Sequence, residues 1–208
     1  MHLTGTSLRS SRLKALEPIV QTWADCVVAY STFHNGDDAA YYYGERPNVS
    51  VLCSAAWVAG AVGIEEYAAE KGFGPKARPG RADLYIKGRD FYFAIEAKHR
   101  WDDIFSEGSN TTIQDAIVSA KEDARDVHDG TRVAVVFLAP SCKSDSLFEF
   151  KKNPKIIIDR YVESIQSTYG DAGLIGWSFP QSTRFIEGSD GNFWPGVAVL
   201  AYAVNRDS

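Results

Sequence analysis

The sequence predicts an α/β fold in which a mixed central sheet is flanked by helices. Three observations carry this. Two short apolar segments, 81–87 and 91–98, flank a glycine-containing turn; the run Thr131–Ala139 is almost entirely apolar; and stretches with apolar residues at helical spacing stand on either side of both. Strands that alternate with helices build a layered sheet, and an unbroken apolar strand belongs at its centre, where both faces are covered.

The elements follow in order. Pro18 suits the first turn of a helix, and Ile19, Val20, Trp23, Val27 and Tyr30 come after it at helical spacing. His34–Pro47, with Asp37-Asp38 and Tyr41-Tyr42-Tyr43, reads as a loop whose tyrosines form a partly buried cluster or offer rings for base stacking. Asn48 or Ser50 caps a second helix expected to run toward Lys71, with Val51, Ala55, Val58 and Val62 on one stripe. Gly60 and Gly63 weaken that helix and permit close packing. Continued by three or four positions, the stripe lands on Glu65 and Glu66, so the helix is expected to end by presenting a carboxylate to the sheet. Periodicity does not choose between these neighbours.

Lys87-Gly88-Arg89-Asp90 reads as a two-residue hairpin turn, with Gly88 supplying positive φ. Successive strand side chains point to opposite faces. Counting from the turn puts Lys87 opposite Asp90, and Asp83 opposite Ala94, one diagonal step from Glu96. Asp83, Glu96 and Lys98 then share a face with Tyr85 and Tyr92, while Leu84, Ile86, Phe91, Phe93, Ile95 and Ala97 fill the other. Charge placed in apolar strands costs on the order of several kcal/mol unless it is paired or holds a cation. Diagonal neighbours lie roughly 7–8 Å apart, a gap across which two carboxylates can share one small divalent ion while a nearby ammonium orients its water. A Glu96–Lys98 or Asp83–Lys98 ion pair on an exposed sheet face is the alternative.

Asp83, twelve intervening residues and then Glu96-Ala97-Lys98 resembles the PD-(D/E)xK signature of restriction-endonuclease-like nucleases, with Ala82 where the signature has proline. The resemblance implies an αβββαβ core over about residues 48–139, inside one domain of residues 1–208. Residues 1–47 would be a helical and loop extension, and 140–208 a C-terminal αββ extension. It implies Mg²⁺ or Mn²⁺ held by Asp83, Glu96 and the main-chain carbonyl of Ala97, with Glu65 or Glu66 completing the shell and Lys98 positioning the attacking water. The activity implied is phosphodiester hydrolysis of nucleic acid, DNA being the expected form. The alternative is a nuclease-fold protein without activity that binds nucleic acid or another protein.

Beyond Lys98, strand alternation turns His99 away from the Glu96 face, which makes it structural. Thr111-Thr112-Ile113-Gln114 matches a capping box that opens a helix striped by Ile113, Ala116, Ala120, Ala124 and Val127. Some members of the resembled family carry Gln on this helix near the metal, so Gln114 joins Arg81, Arg100 and Lys121 as a candidate substrate contact, although capping accounts for it too. Asn153-Pro154 starts a helix with Ile157, Tyr161, Val162 and Ile165, and Ala172–Phe179 and Gly196–Val204 supply two further strands.

Charge bounds the partners. The chain has 22 basic and 27 acidic side chains and a net charge of −5, so its overall field does not steer nucleic acid to it. Lys71, Lys76, Arg78, Arg81, Lys87, Arg89, Lys98, His99 and Arg100 nonetheless crowd around the proposed site, scattered solvated charges on loop and turn being the alternative reading, and targeting is expected to depend on a protein partner or a special DNA structure. Three cysteines without motif spacing favour reduced thiols over disulfides or a zinc site. Residues 1–12 lack a signal peptide's apolar run, and 193–204 is too short to span a bilayer, so no membrane is expected and the cytoplasm is the expected location.

Overall fold

A computed structural model describes residues 2–72, 74–128 and 130–205, the Lys76 side chain excepted. All its strands join one sheet of seven, in the order β1-β6-β7-β5-β4-β3-β2. These are β1 (Leu3–Leu8), β2 (Val62–Lys71), β3 (Arg78–Lys87), β4 (Tyr92–Asp103), β5 (Thr131–Ser141), β6 (Leu174–Phe179) and β7 (Val197–Val204). Only β4 and β5 pair in parallel; every other neighbouring pair is antiparallel, so the sheet is mixed. One face is covered by α1 (Glu17–Phe33) and α2 (Glu45–Val58), the other by α3 (Thr111–Asp126), the short α4 (Leu147–Lys152) and α5 (Pro154–Thr168). Among the described residues no helix is long and apolar enough to cross a membrane. Cys26, Cys53 and Cys142 are free thiols.

The centre of the sheet follows the sequence closely. β5 is buried from Arg132 to Pro140, as an unbroken apolar strand should be. Helix α1 carries Pro18 in its first turn and buries Ile19, Val20, Trp23 and Val27. The expected helix and strands after residue 153 are α5, β6 and β7. Helix α3 starts one residue earlier than a Thr111 cap would place it. The Asn110 side chain caps it, accepting from Thr112 N at 3.0 Å, which leaves Gln114 without a capping task.

Three expectations are corrected. The helix expected to reach Lys71 stops at Val58, and 62–71 is the edge strand β2. Gly60 causes the stop: it takes φ +83°, while Ala61 N donates to Ala56 O at 2.9 Å and closes a left-handed helix terminus. The 51/55/58/62 stripe crosses this break only by coincidence, because Val58 and Val62 are exposed and the buried side of α2 is Asn48, Val49, Leu52, Ala55 and Ala56. The helix also begins earlier, at Glu45, with Pro47 in its first turn. Second, the N-terminal extension is not only helix and loop, since β1 pairs with β6 at the sheet edge.

Third, the β3–β4 connection has four residues, Gly88–Phe91, because Lys87 pairs with Tyr92. Gly88 is not among the residues of positive φ; its missing Cβ makes room for the Phe91 ring, which would lie 2.2 Å away. The longer connection slides the register by two residues. Side chains keep their faces under an even shift, but Asp83 moves from opposite Ala94 to opposite Glu96.

Gly60 has open space where a Cβ would go, so only its backbone conformation resists substitution. Gly60→Ala is therefore expected to lower unfolding stability by about 1 kcal/mol, read as a shifted urea midpoint at unchanged m-value.

Candidate functional site

The site lies where β3 parts from β4. The two strands pair from Lys87/Tyr92 to Leu84/Ile95 and no further. Beyond that point β3 stays with β2 as a two-stranded ribbon running to Lys71/Arg78, while β4 continues alongside β5 to Asp103. Asp83 stands at the fork. Its Oδ2 accepts a hydrogen bond from Ala97 N at 2.7 Å, taking the place of the next ladder bond. This fixes a carboxylate beside Glu96, the residue directly across in the extrapolated register.

The ribbon tip is tied down over the Glu96 face. Gly72 N donates to Asp126 O, His128 N donates to Glu70 O, and Lys71 bridges Val127. Ala69, Ala82, Ala94 and Val127 pack together beneath it. This docking carries Lys71 to Glu96, with its Nζ 2.6 Å from Oε1. A side chain at Gly80 would press on the Lys71 stem at 3.0 Å, so glycine there leaves the stem its course. On the same face, Lys98 Nζ lies 2.7 Å from Asp123 Oδ2 of α3.

The electrostatics follow from burial. Glu96 is only 3% exposed. Burial pushes its carboxyl up to about 7, with the neighbouring Asp83 charge adding to the rise and the Lys71 ammonium opposing it. Glu45, in the first turn of α2, is a further carboxylate at this fork. Its pKa is raised by burial and then by Asp83, against the pull of Lys98 and Arg100. Lys98 is itself raised: burial disfavours its charge, and Asp123, Glu45 and Asp83 together outweigh that.

The structure thus brings Asp83, Glu96, Ala97 and Lys98 together, as the strand pattern requires. Arg100 is also near, with its guanidinium held by Thr112 O and His99 O, and Gln114 stands on the adjoining first turn of α3, half-buried. Glu65 and Glu66 each have a partner of their own, and the β2–β3 register places Glu66, at φ +50°, across from Asp83. Glu65 accepts from Ser50 Oγ on the outer side of β2. Glu66 lies between Arg46 and Arg81, 3.7 Å from each, so Arg81 is engaged with Glu66. Lys121 faces β7 and pairs with Asp171. His99 turns to the α2 side, where burial pushes it down to about 4 and keeps it neutral. Lys76 of the expected basic patch lies outside the described side chains.

Glu45 is the residue that sequence reading missed. Its signal was Pro47, which, like Pro18, marks a helix start just upstream.

The donor set suits a hard divalent cation in kind. Glu96 Oε1 is buried without an aligned hydrogen-bond partner, and Asp83 offers a second carboxylate from the facing strand. The Lys71 ammonium stands close to Glu96 as a cation would. Among the described residues, no three His, Cys, Asp or Glu side chains already close on one point. Compared with models of known families, with curated proteins and with solved structures, the chain has no match.

A carboxyl whose pKa is raised by folding contributes stability that is complete below its unfolded value of 4.5 and lost as pH rises through about 7. Wild-type stability should therefore fall between about pH 5 and 8 by up to about 3 kcal/mol from this group. Glu96→Gln should flatten that slope in urea denaturation series; an unchanged slope would remove Glu96 from the account.

Proposed function

We propose that this protein is a Mg²⁺- or Mn²⁺-dependent phosphodiesterase of the restriction-endonuclease-like kind, acting on nucleic acid with DNA the expected form. The observation that carries the reading is the placement of Asp83 across from Glu96, with Lys98 next along on the same face. The element order α2-β2-β3-β4-α3-β5, with β5 parallel beside β4, supports it as an αβββαβ core.

Asp83 and Glu96 would hold the ion, with the Ala97 carbonyl and Glu45 as further oxygen donors. When bound, such an ion polarises a phosphoryl oxygen and lowers the pKa of its water. Lys71, seated on Glu96 in the absence of an ion, would serve as an internal counter-ion that gives way when one is held there. Lys98, released from Asp123, would orient the attacking water and offset charge developing on the phosphate. Arg100, two residues beyond Lys98 on the same strand, would bind the adjoining phosphate. Trp101 is half-exposed and packs with His99 and Trp194, so it belongs to the His99 side of β4 and not to the Lys98 side.

A second reading is favoured by the two ion pairs. Lys71 on Glu96 and Lys98 on Asp123 neutralise the site internally, as would suit a nuclease-fold module that binds nucleic acid or protein without cleaving it. Mn²⁺ titration separates the two. The proposed enzyme binds Mn²⁺ in calorimetry and cleaves DNA; Asp83→Asn abolishes both. Lys98→Ala retains the fold and the ion but loses about a hundredfold or more in rate. Absence of Mn²⁺ binding in the parent protein would favour the inactive module, and a Lys98→Ala variant cutting as fast as the parent would refute the assignment of roles.

A further inference from the structure

A second charged pocket opens on the β7 side of α3. It has a volume of about 350 Å³ and is lined by Arg12, Lys121, Arg125, Asp171, Gly173 and Tyr202 among others. Lys121 and Arg125 are four residues apart and share one side of the helix, whereas Asp123 between them turns to Lys98. Lys121 Nζ lies 4.0 Å from the centre of the Tyr202 ring and 3.1 Å from Asp171 Oδ2. The Arg12 guanidinium is anchored by Asn205 Oδ1 at 2.7 Å and Val204 O at 3.3 Å.

Two of the lining groups are buried with nothing to bond. Tyr202 is 3% exposed, yet its hydroxyl has no hydrogen-bond partner, and the Arg125 Nε is likewise buried and unpartnered. A buried polar group left unmade costs about 1–3 kcal/mol. Both belong to side chains that line this pocket, and an acceptor seated among them would satisfy both once the side chains turn to it.

We propose that this pocket binds a phosphate monoester. Three cationic side chains against the single Asp171 leave an excess of two positive charges among these residues. That matches the charge of about −1.5 to −2 that a monoester carries at neutral pH, and a carboxylate supplies only half of it. Arginine, a phenol hydroxyl and a lysine together supply the several donors that a group with three terminal oxygens requires. The pocket exceeds inorganic phosphate in size and leaves room for the esterified group. The site uses neither Asp83 nor Glu96 and stands independently of the proposed hydrolytic centre.

Calorimetry with phenyl phosphate, inorganic phosphate and benzoate tests this on the full chain. Phenyl phosphate is expected to bind saturably at one site, inorganic phosphate to compete for it, and benzoate to bind at least about tenfold more weakly. Tyr202→Phe and Arg125→Gln should each weaken phenyl phosphate about tenfold, while Asp83→Asn changes nothing. Without ligand, Tyr202→Phe should leave the thermal midpoint unchanged or raised, because it removes an unpaired hydroxyl. Should Arg125→Gln fail to fold, Lys121→Gln, at a partly exposed position, replaces it with the same expected loss. Absence of saturable binding, equal binding by the variants, equal affinity for benzoate, or a lowered Tyr202→Phe midpoint in ligand-free protein would each overturn the proposal.

Discussion

The hydrogen bond from Ala97 N to Asp83 Oδ2 is the contact on which the candidate site depends. A strand leaving its neighbour exposes backbone donors that must be satisfied elsewhere. Here a side-chain carboxylate takes the first of them, so the same bond both ends the β3–β4 ladder and fixes an acidic group at the fork. The departing ribbon then curls over the Glu96 face and is fastened to the end of α3. Fold and site are consequences of one parting of strands.

That geometry concentrates charge in a place where water cannot easily screen it. Asp83 is within electrostatic reach of both Glu96 and Glu45, and each of those two is pushed toward protonation by burial. Lys71 and Lys98 offset part of this, each reaching from its own strand. An arrangement of carboxylates held by ammonium groups is suited to exchange with a divalent ion, because the ion substitutes one kind of positive charge for another. The second pocket has the opposite character, an excess of donors and cations on the far side of the same helix. Helix α3 therefore separates two regions of contrasting charge, with Asp123 facing one and Lys121 and Arg125 the other.

Much of this was legible in the sequence, and the failures have physical causes. Strand alternation placed Asp83, Glu96 and Lys98 on one face, and it survived a wrong turn length because the register error was two residues, an even number. β5 was plain because a doubly covered strand is apolar throughout. Residues 62–71 mimic a helix because a 3–4 spacing runs from α2 across Gly60 into β2, and only the left-handed backbone at Gly60 ends the helix. β1, Leu-Thr-Gly-Thr-Ser-Leu, is half-buried along its whole length and gives no alternation to detect. Glu45 is hidden because Asn48 looks like the helix cap, whereas its side chain bonds back to Gly44 O inside the first turns. The pairing of Lys71 with Glu96 depends on how the ribbon tip docks, which no local pattern encodes.

The most direct test of the central claim is anomalous diffraction from crystals equilibrated with Mn²⁺. The account predicts a single strong peak bounded by the carboxylates of Asp83 and Glu96, with the Lys71 ammonium withdrawn from Glu96. No peak at the fork under saturating Mn²⁺, with Lys71 still seated on Glu96, would contradict it.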